Sequence, residues 1–325
     1  MIKNNKGFAY STMLYGLLAV MIILLMIIFN MYKKTSDEGY YYSSTIDVKL
    51  NDCVDAEVAL ENCYAANEGP CDSREYYACL GITKNEEDAR KVSLISVLTD
   101  EAKIVTSGNG IYQIDDDTYV YRGNSVNNFI NFGGKIWRII GVYNGVIKIA
   151  DVTHAENRSW DSADSQEWPS STLSYYLNDS YFNNLLKREL IQRSPWGIGR
   201  VSTAASLETL PNLEQSAEFN SYVGLLSVSD FVYASTSTMC HSAPFSSDNN
   251  CNTSYLAAYS TWLINATPSS ASTTNAYYFK ANEGFKSTAT STQLNYIPVV
   301  YLNGSIEING DVGDGTSGTP YQVMS

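Results

Sequence analysis

The chain has 325 residues, 44% of them hydrophobic and 17% charged, which excludes an intrinsically disordered chain and leaves ample length for a core. Its formal net charge is −13, and residues 1–34 hold Lys3, Lys6, Lys33 and Lys34 (+4) with no acid, so the remainder carries −17. A body that acidic, with no basic stripe, repels phosphate backbones, and no nucleic-acid partner is expected.

Residues 8–32 contain no charged side chain. As a helix they would extend about 37 Å, enough for a hydrocarbon core of about 30 Å. Lysines flank the run, and Tyr10, Tyr15, Phe29 and Tyr32 fall where an interfacial aromatic belt would sit. The run exceeds the apolar region of a cleaved signal, and no A-x-A-like site follows. The expectation is therefore a signal-anchor within 1–34, with a cytoplasmic tip over 1–6 and a transmembrane helix over 8–32 that makes the membrane a partner. Asp37 and Glu38, with the cysteines beyond them, favour a cytoplasmic N-terminus and a C-terminal part outside the cell membrane. Lys6-Gly7-Phe8 ahead of an apolar helix resembles the start of type IV prepilins. That resemblance implies cleavage between Gly7 and Phe8. Such pilins carry a glutamate at the fifth mature position, where this chain has Thr12.

Residues 35–109 read as a linker and a small helical stalk. A helix is expected over 51–67, where Asp52 can cap, and another over 85–98, where Glu86, Glu87 and Asp88 suit the first turn. Cys53, Cys63, Cys71 and Cys79 fall here, and Cys240 and Cys251 follow far downstream. No C-x-x-C occurs, which argues against a zinc ribbon or a thioredoxin-type motif. The spacings suit disulfides in an oxidising compartment, with Cys240 pairing Cys251 and the first four pairing among themselves in any of three ways.

From residue 110 to 325 the texture turns to strands. Gly133-Gly134 and Asn144-Gly145 mark hairpin turns within 129–149, a helix is expected over 171–191, and strands return near 224–226 and 295–308. Helices between strands indicate an α+β fold with a mixed, mainly antiparallel sheet. Long surface loops are expected over the Ser/Thr/Asn-rich stretch 235–292.

The motifs of this body resemble a known family. Asn127-Asn128-Phe129-Ile130-Asn131-Phe132, Trp137-Arg138-Ile139-Ile140-Gly141-Val142, Trp160-Asp161, the run 168–182, the run 224–234, Thr261-Trp262-Leu263 and the run 298–321 occur in the order of a surface-protein domain of unknown function from low-GC Gram-positive bacteria. The resemblance implies a C-type-lectin-like fold related to the formylglycine-generating enzymes, and a surface location.

Little in the body points to chemistry. His154 and His241 are the chain's two histidines. His241 follows a cysteine expected in a disulfide, and His154 beside Glu156, Arg158 and Asp161 reads as a hydrogen-bonded loop residue. Asp115-Asp116-Asp117 and the segment 309–315 gather oxygen ligands that would suit calcium, yet they read first as glycine- and aspartate-rich turns. No cofactor is expected. Of the five tryptophans, Trp196 in Ser194-Pro195-Trp196-Gly197 is the expected ligand contact on a loop. The expectation is thus a non-catalytic, membrane-anchored extracytoplasmic adhesion module with a glycan or surface-protein partner. The alternatives are a pilin-like filament subunit and an oxidase-type enzyme.

Overall fold

Two short turns set the register of the main sheet. Asn144 and Gly145 have φ values of 49° and 75°, and Gly133 and Gly134 have 58° and 77°. Positive φ at both central residues is the type I′ turn, whose twist matches that of the strands it joins. These turns link Phe129–Phe132 to Lys135–Tyr143, and Lys135–Tyr143 to Val146–Ala150.

A computed structural model describes residues 91–325 apart from 247–249, 270–273, 311 and 325. The compact unit to which they belong begins at Arg90. In its main sheet Val223–Leu225, Pro298–Leu302, Val146–Ala150, Lys135–Tyr143, Thr118–Arg122 and Gly110–Asp115 lie side by side, each antiparallel to the next. Phe129–Phe132 pairs with the first half of Lys135–Tyr143, and Tyr321–Gln322 joins it in parallel. Residues 137–142 are buried on both faces, which is why that strand reads as a continuous apolar run. Lys91–Ser93 pairs with Glu307–Asn309, and Leu94 and Leu98 enter the same core. The helix expected over 85–98 is, among the described residues, only Leu94–Leu98.

The stretch 235–292 is not chiefly surface loop. Thr261–Ala266, Asn275–Lys280 and Gly284–Ala289 form a three-stranded sheet within it, and all six residues of Thr261–Ala266 are buried. Its polar members are small and bonded: Thr261 Oγ1 accepts the Ile297 amide, and Asn265 Oδ1 accepts the Val228 amide. Burial of such groups is tolerated once they have partners.

The helix expected over 171–191 is shorter. Ser171 caps Thr172–Tyr176, a π-turn follows over Leu177–Tyr181, and the chain leaves helix soon after, so Leu186 is exposed. The π-turn carries Asn178. Its Oδ1 accepts the Tyr222 and Val223 amides and its Nδ2 donates to the Val223 carbonyl, which binds the helix to the edge strand Val223–Leu225.

Residues 1–90, with the tip 1–6, Gly7, Phe8, the apolar run 8–32 and Cys53, Cys63, Cys71 and Cys79, lie outside the described residues. Crossing a bilayer takes about 20 apolar residues in one helix. Among the described residues no helix is long and apolar enough, each regular α-helix having seven residues or fewer. The expected fold class, headed by a transmembrane helix and helical stalk, is corrected to a mixed α+β domain of antiparallel sheets and short helices. The readings that rested on the anchor are withdrawn with it: the membrane-anchored surface or adhesion protein, its pilin-like alternative, the membrane, glycan and surface-protein partners, and the placement across the cell membrane.

Cys240 and Cys251 form a disulfide, and both are buried. No described cysteine is free. The bridge spans a sequence separation of 11 and ties the helix Thr238–Ser242 to the segment ahead of Tyr255–Ala258. Replacing both cysteines by alanine should lower the unfolding free energy of the full-length chain by about 2–3 kcal/mol. A urea midpoint unchanged from wild type would show that the bridge adds nothing to the fold.

Candidate functional site

One lysine interrupts the apolar strand Val146–Ala150. Lys148 is 5% exposed, and its Nζ donates to both carboxylate oxygens of Asp230 at 2.7 Å. Asp230, itself 2% exposed, lies in the first turn of the helix Val228–Ala234. It completes a capping box there: its Oδ2 accepts the Ser227 amide, and Ser227 Oγ accepts the Asp230 amide. Burial pushes the Lys148 ammonium towards neutrality, but the Asp230 charge, Tyr301 and the hydrogen bond outweigh it and hold the group above the ordinary lysine value.

Two further amides at that helix start are met from other elements. The Val228 amide goes to Asn265, and the Ser229 amide goes to Glu214 Oε1 at 3.0 Å. Ser229 Oγ donates to the other Glu214 oxygen at 2.6 Å. Glu214 ends the helix Leu210–Glu214 and is buried. Burial raises its pKa to about 7, the Ser229 hydrogen bonds oppose the rise, and the nearby Asp230 charge adds to it.

Aromatic rings complete the site. Lys148 Nζ lies 5.6 Å from the ring centres of Trp196 and Tyr301, and 5.8 Å from that of Tyr143. Trp196 belongs to the strand Ser194–Gly197, is 2% exposed, and donates through Nε1 to the Ser221 carbonyl. It is not the loop residue expected. Gly224 lies beneath the ring, where a Cβ would come within 2.5 Å of it. The Tyr143 hydroxyl is buried and meets no hydrogen-bond partner. These groups line a cavity of about 450 Å³ whose wall also includes Tyr233, Ile264 and Val146. A larger hollow of about 780 Å³ lies at Val92 and Leu98, beside the point where the described residues begin, and holds no comparable set of charged groups.

The other residues singled out from sequence lie elsewhere. The His154 ring rests between Tyr181 and Tyr296, with Nε2 3.6 Å from Glu156 Oε2. Burial holds its pKa below the ordinary histidine value against the pull of Asp151 and Glu156. His241 Nε2 is 2.8 Å from the Ser235 carbonyl oxygen. Trp137, Trp160 and Trp262 are fully buried and Trp168 nearly so, as framework residues. Asp115 accepts the Asp117 amide inside its turn, and Asp314 accepts from Thr316 and Thr319. Among the described residues no group of three or more His, Cys, Asp or Glu is placed to hold a metal ion.

Lys148, Asp230 and Glu214 escaped the sequence reading. The signals were a lone lysine inside Val146-Ile147-Lys148-Ile149-Ala150 and the Ser-x-x-Asp spacing of Ser227 and Asp230. No known protein family, curated protein or solved structure matches the chain.

Removing one partner of a buried ion pair leaves the other charge without compensation. Asp230→Ala should cost about 3–5 kcal/mol, whereas Lys148→Met combined with Asp230→Leu should recover part of that loss. Urea denaturation of the full-length variants measures both, and a single substitution costing under about 1 kcal/mol would contradict a load on this pair.

Glu214 ties stability to pH. Its ordinary value is 4.5 and its folded value about 7, so the folded state holds the proton more firmly than the unfolded chain. Its contribution is greatest below about pH 4.5 and is lost as pH rises to about 7. Relative to Glu214→Gln, the wild-type unfolding free energy should therefore fall by on the order of 3 kcal/mol across that window. Parallel stability profiles for the two chains would contradict it.

Proposed function

We propose that the described domain recognises a small molecule in the cavity above the Lys148–Asp230 pair, and that it binds this ligand without transforming it. One observation carries the reading: a concave site of about 450 Å³, walled by Tyr143, Trp196, Tyr233 and Tyr301, sits over buried charged groups. Ring walls with a few fixed polar groups are the usual composition of a small-molecule site.

Binding without catalysis follows from how those charged groups are engaged. Lys148 donates twice to Asp230, Asp230 accepts the Ser227 amide, and both Glu214 oxygens accept from Ser229. Each group is holding the start of the helix Val228–Ala234. A proton moved between Lys148 and Asp230 during a reaction would break the pair that fixes this helix start, whereas a bound ligand leaves the pair in place.

Trp196 provides the readout, because its indole N–H has a single carbonyl partner and its ring is a cavity wall. In full-length chain labelled at tryptophan, cyclohexylamine, cyclohexanol and cyclohexanecarboxylate are titrated separately while the Trp196 indole resonance is followed. At least one should shift it saturably, and Val146→Trp, which fills the cavity without removing either member of the ion pair, should abolish the shift. No saturable shift with any of the three, or shifts indifferent to Val146→Trp, would overturn the proposal.

A further inference from the structure

We infer that the ligand of this cavity is a small organic cation, an ammonium group on a short apolar body, received by Glu214 and the surrounding tyrosines. The inference rests on the recognition reading above and specifies the chemistry of its ligand.

Charge is the first support. The lining holds four carboxylates, those of Asp115, Glu214, Glu218 and Asp230, against the single ammonium of Lys148. That ammonium is already matched by Asp230 at 2.7 Å, which leaves the buried Glu214 inside the cavity and the exposed Asp115 and Glu218 at its rim. An anionic ligand would be repelled by these acids, and a cation would be drawn to them.

The walls are the second support. Tyr143, Trp196 and Tyr301 already surround one ammonium, that of Lys148, at 5.6–5.8 Å from their ring centres. Ring faces attract a cation through their quadrupole, and more strongly where water is excluded. Tyr233 brings a fourth ring to the same cavity. The buried Tyr143 oxygen has no partner in the protein, and its lone pairs offer an ammonium an acceptor.

Glu214 is the third. The groups that face it are Ser229, Asp230 and Tyr233 from the helix Val228–Ala234, Lys148 from Val146–Ala150 and Tyr301 from Pro298–Leu302. Among these Lys148 is the one cation, and Asp230 holds it. A carboxyl raised to about 7 by burial is poised to give up its proton when a cation arrives. On binding, the Glu214 carboxyl proton passes to solvent and the carboxylate pairs with the incoming ammonium. Affinity should therefore rise about tenfold between pH 6 and pH 8, a range in which an alkylammonium stays protonated.

The three cyclohexyl probes are equal in body and differ in charge, so their ranking on the Trp196 resonance tests the inference. Cyclohexylammonium should bind at least tenfold more tightly than the alcohol or the carboxylate at pH 8, and should weaken about tenfold at pH 6. Glu214→Gln should weaken it at pH 8 and remove the pH dependence. If the alcohol or carboxylate binds as tightly as the amine, with shifts lost in Val146→Trp, the pocket stands and the cationic ligand falls. If the amine binds with no dependence on pH or on Glu214→Gln, the assignment of Glu214 as its receiver is wrong. If none of the three binds, the recognition reading itself fails.

Discussion

The ion pair between Lys148 and Asp230 joins residues 82 positions apart, in an environment where either charge alone would be untenable. Desolvating an ammonium and a carboxylate costs several kcal/mol each, and only close, doubly bonded geometry offsets that loss. The requirement propagates outward. Lys148 must lie on the strand Val146–Ala150 opposite Tyr301, and Asp230 must lie in the first turn of Val228–Ala234. A helix of seven residues makes few internal hydrogen bonds, so its orphan amides weigh heavily. They are met from three other places in the chain: Asn265 in the second sheet, Glu214 at the end of another helix, and Ser227 next door. The main sheet, the second sheet and the helix Leu210–Glu214 thus converge on one helix start.

A second buried carboxylate follows the same strand by the same logic. Asp151 is fully buried and accepts from Lys135 Nζ, the Tyr181 hydroxyl, and the amide and hydroxyl of Thr153. Lys135 also lies over the Tyr181 ring at 5.6 Å, much as Lys148 lies among three rings. The abundant tyrosines therefore have a concrete use. Their rings pack against the lysines that pair with the buried Asp230 and Asp151, and the Tyr181 hydroxyl supplies a donor to Asp151. Burial keeps Tyr143, Tyr181 and Tyr301 above the ordinary phenol pKa, so they remain protonated.

The cavity is a by-product of this arrangement that carries a cost. Glu214 is kept dry where its charge is unwelcome, and the Tyr143 oxygen is kept without a partner. Neither is required to satisfy the helix start, since an uncharged acceptor in place of Glu214 would serve the Ser229 amide. Tension of this kind in a concave aromatic site is what the proposed ligand would relieve.

Local chemistry was legible from the sequence wherever it depends on near neighbours. The Gly133-Gly134 and Asn144-Gly145 turns need positive φ, which those residues adopt at little steric cost, so the hairpins could be read directly. The alternating and branched runs marked the main strands, and Ser171 marked a helix start. The site was illegible because Lys148, Glu214 and Asp230 come from three distant segments, and only the tertiary fold brings Lys148 onto Asp230 and Glu214 onto Ser229. Trp196 shows the same limit. Its loop-like neighbours Pro195 and Gly197 suggested exposure, but pairing with Glu218–Ser221 makes the segment a strand and packing over Gly224 buries the ring. Sequence alone determined which residues can turn, cap and pair. The folded chain decided which polar groups lose their water, because desolvation is a property of everything packed around a residue rather than of the residue itself.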